Sequence, residues 1–300
     1  MSAFGGSQVH AWTPKPGLEE EHPFGKKVER SYVGHTEGLL YQSMIHGFVP
    51  MTIRGVVWYQ GENDGRGNDS GEKMTAWIES WRKLWNRDDL PFYYAQIAAT
   101  TYASGMLNVW EGQAEVMKAV PHTGLAPSND IYDGLDHGYS PAPDKVDEKD
   151  TGWPIAGGSN PHPPNKRLVA NRLADIALAK TYGQATEREV FGPVCDSQRL
   201  EGNRILVDFL HVGKGLKAGN DQPLNWFEIS DGTEENRRLK YVKATARIID
   251  ADTVEVSSPE IAEPKFVRFG WHSLARYNLV NSDDLPAISF KTDPQDHHRR

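Results

Sequence analysis

Ile53-Arg-Gly-Val-Val-Trp-Tyr-Gln60 is an apolar run of strand length, closed by Gly61. Its lack of alternation predicts a strand covered on both faces, the signature of a parallel sheet under helices. Downstream, Met74 to Trp85 carries Trp77, Ile78, Trp81, Leu84 and Trp85 at three- and four-residue spacing, the period of a helix. Pro91-Phe-Tyr-Tyr-Ala-Gln-Ile-Ala98 repeats the buried-strand pattern. A second helical segment, Val109 to Val120, and a short strand around His122-Thr-Gly-Leu-Ala126 follow. A last helix is expected from Pro164, a residue suited to a first helical turn. It runs through Leu168, Val169, Leu173, Ile176 and Ala177 and stops before Gly183. Upstream, Thr36 is placed to cap a helix over Glu37–His46, with Leu39, Leu40, Met44 and Ile45 on one face. Strand alternating with helix predicts an α/β fold: a parallel sheet with helices on both faces.

Residues 132–160 interrupt that rhythm with a long irregular stretch rich in Gly, Pro and Asp, of the kind that is usually functional in a compact domain. After residue 185 the pattern becomes all-β. Arg204-Ile-Leu-Val-Asp-Phe-Leu, Trp226-Phe-Glu-Ile, Tyr241-Val-Lys-Ala-Thr-Ala-Arg-Ile-Ile, Thr253-Val-Glu-Val and Lys265-Phe-Val-Arg-Phe-Gly-Trp are short β-branched and aromatic runs. Turn signals such as Glu201-Gly-Asn and Asp250-Ala-Asp separate them. The expected organisation is an α/β domain over 1–185 and a small β module with a polar tail over 186–300.

Composition narrows the function. The 300 residues are 38% apolar and 25% charged, enough for a core without metal or disulfide support. The single Cys195 excludes a disulfide framework and a multi-cysteine zinc site. With 33 basic and 41 acidic residues the net charge is −8, which argues against a nucleic-acid partner. No apolar run reaches membrane-spanning length, and Met1-Ser-Ala-Phe-Gly-Gly lacks the pattern of a secretory signal. Nucleotide-binding glycine motifs and metal-ligand spacings are also absent, so no cofactor and no metal are implied.

Three stretches carry residues with chemical potential. The first strand runs into Trp58-Tyr59-Gln60-Gly61-Glu62-Asn63-Asp64, polar side chains crowded at the carboxyl end of the strand, where open parallel sheets hold their ligands. Gln60 or Asn63 could aim an amide N–H into a site and stabilise an oxyanion; alternatively these are turn residues bonding their own backbone. His162, within Asn160-Pro-His-Pro-Pro-Asn-Lys166, has a backbone stiffened by prolines, which suits a general base; it could equally be a surface histidine at a helix entry. Gly5-Gly6-Ser7, ahead of Ala11-Trp12, could form a turn that offers backbone N–H groups to an anion.

Taken together these stretches resemble the sialate O-acetylesterases, a branch of the SGNH-type carbohydrate esterases. The resemblance lies in Gly5 to Trp12; in Leu40-Tyr-Gln-Ser-Met-Ile followed by Ile53 to Glu62; in His162-Pro-Pro-Asn-Lys166 with Arg172-Leu-Ala174; and in Phe191-Gly-Pro-Val, Val212-Gly-Lys-Gly-Leu216, Phe227-Glu-Ile and Val256-Ser-Ser-Pro259. It implies an SGNH-hydrolase-like (flavodoxin-like) sheet and hydrolysis of O-acetyl esters of sialic acid or a related sugar through a serine acyl-enzyme. By position, the resemblance makes His162 the base, Gly6 the backbone oxyanion donor and Gln60 the side-chain donor, with Asn63 competing. Glu62 and Trp12 are the expected substrate contacts.

Two departures stand out. The family's Gly-Gln-Ser-Asn nucleophile segment, with the first sheet strand, has no counterpart here, and Ser7 matches a different place in the pattern. Asn160 occupies the usual acid position two residues before the base, where Asp130, Asp133, an acid of 144–150 or a backbone carbonyl could serve in its place. The expectation is therefore an esterase scaffold, inactive as this chain. The alternative is a carbohydrate- or partner-binding protein without catalysis. A two-chain enzyme completed by a nucleophile-bearing partner is a third reading. Oligomeric state and cellular address are not encoded in these patterns; relatives are commonly exported.

Overall fold

A computed structural model of the chain describes residues 4–14, 36–65, 67, 69–100, 105–131, 152–153, 162 and 165–294. It divides into two compact units: Met1–Ile97, Ala103–Ala126 and Ile176–Gly183 form the first, and Ala98–Tyr102, Pro127–Asp175 and Gln184–Arg300 the second.

In the first unit, β1 (Val56–Trp58), β2 (Phe92–Ala95) and β3 (Thr123–Ala126) lie in the order β1-β2-β3, all parallel. Their register aligns Val56 with Phe92 and Phe92 with Thr123. The crossovers are α1 (Ser70–Trp85) and α2 (Met106–Ala119). All four residues of the central strand β2 are buried, which is why Phe-Tyr-Tyr-Ala shows no alternation. At β1 the expectation of cover on both faces fails: Val57 is 62% exposed, because β1 is the sheet's edge among the described strands. Its ladder is also shorter than the apolar run. Val56 N–H reaches the carbonyl of Pro91, and beyond Trp58 the chain turns away into residues 61–64.

Tryptophans dominate the core of this unit. Trp77 packs on Trp58 at 4.5 Å, edge-on to Phe92 at 5.0 Å, and Trp12 meets Trp58 edge-on at 5.6 Å. Such pairs add roughly 0.5–1.5 kcal/mol each beyond their buried area. Helices α1 and α2 cross at glycines. A Cβ on Gly112 would sit 2.4 Å from the backbone nitrogen of Gly71, so this approach requires an absent side chain. α1 ends at Asn86, left-handed at φ 48°, whose N–H bonds back to the Arg82 and Lys83 carbonyls. The segment expected to be helical over 37–46 winds mainly as a π-helix, Tyr41–Ile45, followed by a 3-10 turn, His46–Phe48.

The second unit carries the antiparallel strands. One four-stranded sheet runs Thr245–Ile248, Thr253–Ser257, Arg204–Leu210, Val194–Glu201; the other runs Val242–Lys243, Phe227–Ser230, Phe266–Phe269, Phe290–Lys291. They share one apolar core that includes Ile205, Val207, Phe209, Phe227, Val256, Val267 and Phe269. The run from Tyr241 to Ile249, expected as one strand, splits around Ala244 between the two sheets. The Ala244 N–H bonds to the Phe227 carbonyl, a corner where the chain changes sheet. Val194–Glu201 was not legible as a strand: most of its residues are exposed and polar, and a bulge between Cys195 and Ser197 breaks the period. α3 (Lys166–Lys180) is entered through Asn165, whose Oδ1 accepts the Leu168 N–H at 3.3 Å, an N-cap contact. The proposed first-turn Pro164 lies outside the described residues. No described helix is long and apolar enough to cross a membrane.

Candidate active site

The polar stretch after β1 folds as a tight turn, with the Asp64 N–H on the Gly61 carbonyl at 2.9 Å. Gly61 is required by packing: a Cβ there would lie 2.8 Å from Val109 Cγ1 and 3.0 Å from Ile97 Cγ2. This turn grips the backbone of residues 6–9 at successive points. Asn63 Nδ2 donates to the Gly6 carbonyl at 2.8 Å, and Gln60 Nε2 donates to the Ser7 carbonyl at 2.5 Å. Gln8 Nε2 donates back to the Asn63 carbonyl at 2.7 Å. Val9 N–H reaches both oxygens of Asp64, at 3.2 and 3.1 Å.

Asp64 is the buried centre of this web, accepting also from Gln60 Nε2 at 2.5 Å. Burial pushes its carboxyl up to about 6, against the opposing pull of the Gln60 and Val9 donors and of Lys73. Gly6 is exposed, with φ at 65°, and among the described residues its N–H donates to no protein acceptor. Both carbonyls that could repel an anion, those of Gly6 and Ser7, are committed to amides.

Gln60 and Asn63, rivals in the sequence, differ here. A primary amide has two N–H groups. Gln60 uses them on Ser7 and Asp64, whereas the half-buried Asn63 has one on Gly6. Glu62 is half-buried on the same turn. Trp12, expected to meet substrate, is 1% exposed; its indole N–H donates to Ser7 Oγ at 2.8 Å and its carbonyl accepts from Trp81 Nε1 at 2.9 Å, a packing role. Ser7 is equally closed off, 1% exposed, with its hydroxyl donating to the Phe4 carbonyl at 3.2 Å. A separate cavity of about 360 Å³, lined by Met44, Ile45, Phe48, Met51, Val57 and Trp85 among others, contains none of the turn's residues. Its lining offers a sugar few polar partners.

His162 belongs to the second unit and is exposed, while Asn160 lies outside the described residues, as do Asp133 and 144–150. Asp130, weighed as a substitute acid, is engaged elsewhere: Arg172 holds it in a bidentate pair at 2.7 and 2.5 Å and also donates to the Pro127 carbonyl at 2.7 Å. Sequence reasoning missed Asp64 as the hub. The signal available was an acid directly after Asn63, but nothing in the sequence tells that it folds back onto Val9. Among the described residues no cluster of His, Cys, Asp and Glu is arranged to hold a metal ion.

A parallel α/β sheet with a polar turn at its carboxyl edge, accompanied by antiparallel β-sheets, matches an SGNH-like carbohydrate esterase fold. Residues 1–141 match the family model described as carbohydrate esterase, sialic acid-specific acetylesterase. The sialate O-acetylesterases of Pongo abelii and Homo sapiens are each 25% identical over 276 residues, 85% of this chain and 48% of theirs. The crystal structure of a carbohydrate acetylesterase from Xanthomonas citri aligns with a TM-score of 0.77 and 28% identity, over 97% of this chain and 60% of that one. The chain is therefore similar to the sialic acid-specific acetylesterases among the carbohydrate esterases. It spans about half the length of the two sialate O-acetylesterases.

Proposed function

We propose that this chain carries the oxyanion-binding part of a site for O-acetyl esters of sialic acid or a related sugar. The observation that carries it is the anchoring of the exposed Gly6 by Asn63, with the neighbouring carbonyls already bonded. Oxyanion stabilisation needs donors held in place before the charge develops. Gly6 N–H and the second N–H of Asn63 fit that requirement; Gln60 serves the turn instead. Glu62 is the candidate acceptor for a sugar hydroxyl. The base role rests on the sequence resemblance, which gives it to His162. There the imidazole takes the proton of the attacking serine, and water later resolves the acyl-enzyme. Asn160, at the usual acid position, could orient an imidazole through a hydrogen bond but would add no charge.

A second reading, binding of acetylated sugar without turnover, is favoured by Ser7. Its hydroxyl is buried between Phe4 and Trp12, not presented for attack. The test pairs calorimetry on O-acetylated and de-acetylated sialic acid with an acetate-release assay. Acetylation-dependent binding with acetate release no faster than in buffer is the expected result, and it supports the second reading for this chain. Turnover abolished by His162→Ala would establish hydrolysis. Neither binding nor turnover would reject both.

A further inference from the structure

We propose that Asp64 is a positioning residue: its buried carboxylate locks the Gly5–Ser7 turn against the turn that follows β1 and so holds Gly6 and Asn63 in register. Asp64 takes Val9 N–H on both oxygens and Gln60 Nε2 on one. Through Gln60 it reaches the Ser7 carbonyl, and its chain neighbour Asn63 holds that of Gly6. Four consecutive residues, Gly6 to Val9, are thus tied to residues 60–64: Val9 bonds the carboxylate itself, Ser7 reaches it through Gln60, and Gly6 and Gln8 are held by Asn63 beside it. Asp64 is buried while Gly6 is exposed, so the acid acts through the turn and touches no ligand. The neighbouring Ser7 Oγ and Trp12 indole bond to each other instead.

Protonation offers a handle on this lock. With the carboxyl raised to about 6 by burial, it is ionised above that pH and accepts charge-assisted bonds, roughly twice as strong as neutral ones. Below it, one oxygen becomes a donor and the bonds loosen. The charged neighbours are Lys73, which favours ionisation, and Asp69, which opposes it, both at the start of α1. His10 follows Val9 in the chain and is buried, so its titration must be separated from that of Asp64.

The inference deepens the proposed oxyanion role and rests on that reading for its meaning, but its test uses no ester. In the whole chain, the Asp64 carboxyl carbon and the Val9 and Gly6 amides are followed by NMR from pH 4.5 to 8. All three should share one inflection near pH 6, and His10→Gln should retain it. In Asp64→Asn the Gly6 and Val9 inflection should vanish. Gln60→Met keeps the acid but removes a donor, so the common inflection should move upward and Gly6 amide exchange should quicken. A Gly6 amide that does not follow the Asp64 carbon, or an inflection unmoved by Gln60→Met, overturns the lock. If the three probes titrate together while acetylated sugar neither binds nor reacts, the lock stands and the esterase reading fails. The opposite pairing leaves the esterase reading and removes the lock.

Discussion

Asn63 Nδ2 donates to the carbonyl of Gly6, 57 residues earlier in the chain, at 2.8 Å. The contact joins the loop after β1 to the glycine turn, and it separates Asn63 from its neighbour Gln60. Both residues bond backbone carbonyls; only Gln60 also bonds a buried acid.

That difference predicts opposite profiles for two substitutions. Gln60→Ala leaves Asp64 and the Ser7 carbonyl short of a donor and should cost about 1–3 kcal/mol of stability, the range for a buried group left unsatisfied. Asn63→Ala removes a half-exposed bond and should cost about 1 kcal/mol or less, while weakening acetylated-sugar binding more than Gln60→Ala does per unit of stability lost. Urea melts beside calorimetry measure both.

Gly61→Ala should destabilise the first unit by about 1–3 kcal/mol, because the new methyl meets Val109 and Ile97 in a filled core. Val109→Ala in the same chain opens the nearer contact, at 2.8 Å, and should recover part of the loss. A double-mutant cycle by chemical denaturation reads the coupling.

In the second unit, Arg172→Met removes the fork that holds Asp130 and the Pro127 carbonyl. Breaking a buried ion pair costs roughly 3–5 kcal/mol; Asp130 is 38% exposed, which places the expected loss at the lower end. Arg172→Lys should rescue little, since a point charge cannot reproduce the bidentate geometry. Thermal unfolding of the three proteins tests the order.

Glu189 supplies a pH dependence of definite sign. Burial opposes its ionisation, but the His211 side chain and the N–H groups of Phe191 and Val190 outweigh it and hold the carboxyl down at about 2, against an ordinary 4.5. A depressed folded-state value means stability present above about pH 4.5 and lost as the pH falls towards 2. Glu189→Gln should therefore lower the melting temperature at pH 7 and change it little at pH 2. Asp64 has the reverse sign: raised from 3.8 to about 6, it favours the fold below pH 3.8 and loses that contribution as the pH rises through 6.

Helices and buried strands were legible where one pattern governed one environment. Ser70–Trp85 shows its tryptophans at helical spacing because a single face is buried against the sheet. The reading weakened where neighbours decide: Val57 is apolar yet exposed at an edge, and Val194–Glu201 is polar yet paired along its length. Gly6, Gln60, Glu62 and Asn63 were visible as residue types of the right chemistry. Their roles were not, because Gln60 and Asn63 differ only in which carbonyl or acid each one meets.

The order of elements, the class of the sheet and the likeness to sialic acid-specific acetylesterases were written into the sequence itself, since apolar periodicity and short motifs are local properties that survive translation into structure. The distribution of work within the turn was decided only in three dimensions. Burial of Asp64 and its bond to Val9 depend on bringing residues 7–9 onto residues 60–64, across 55 positions of chain. Hydrogen-bond partnership is a property of distance and desolvation, and neither is encoded in spacing along the sequence.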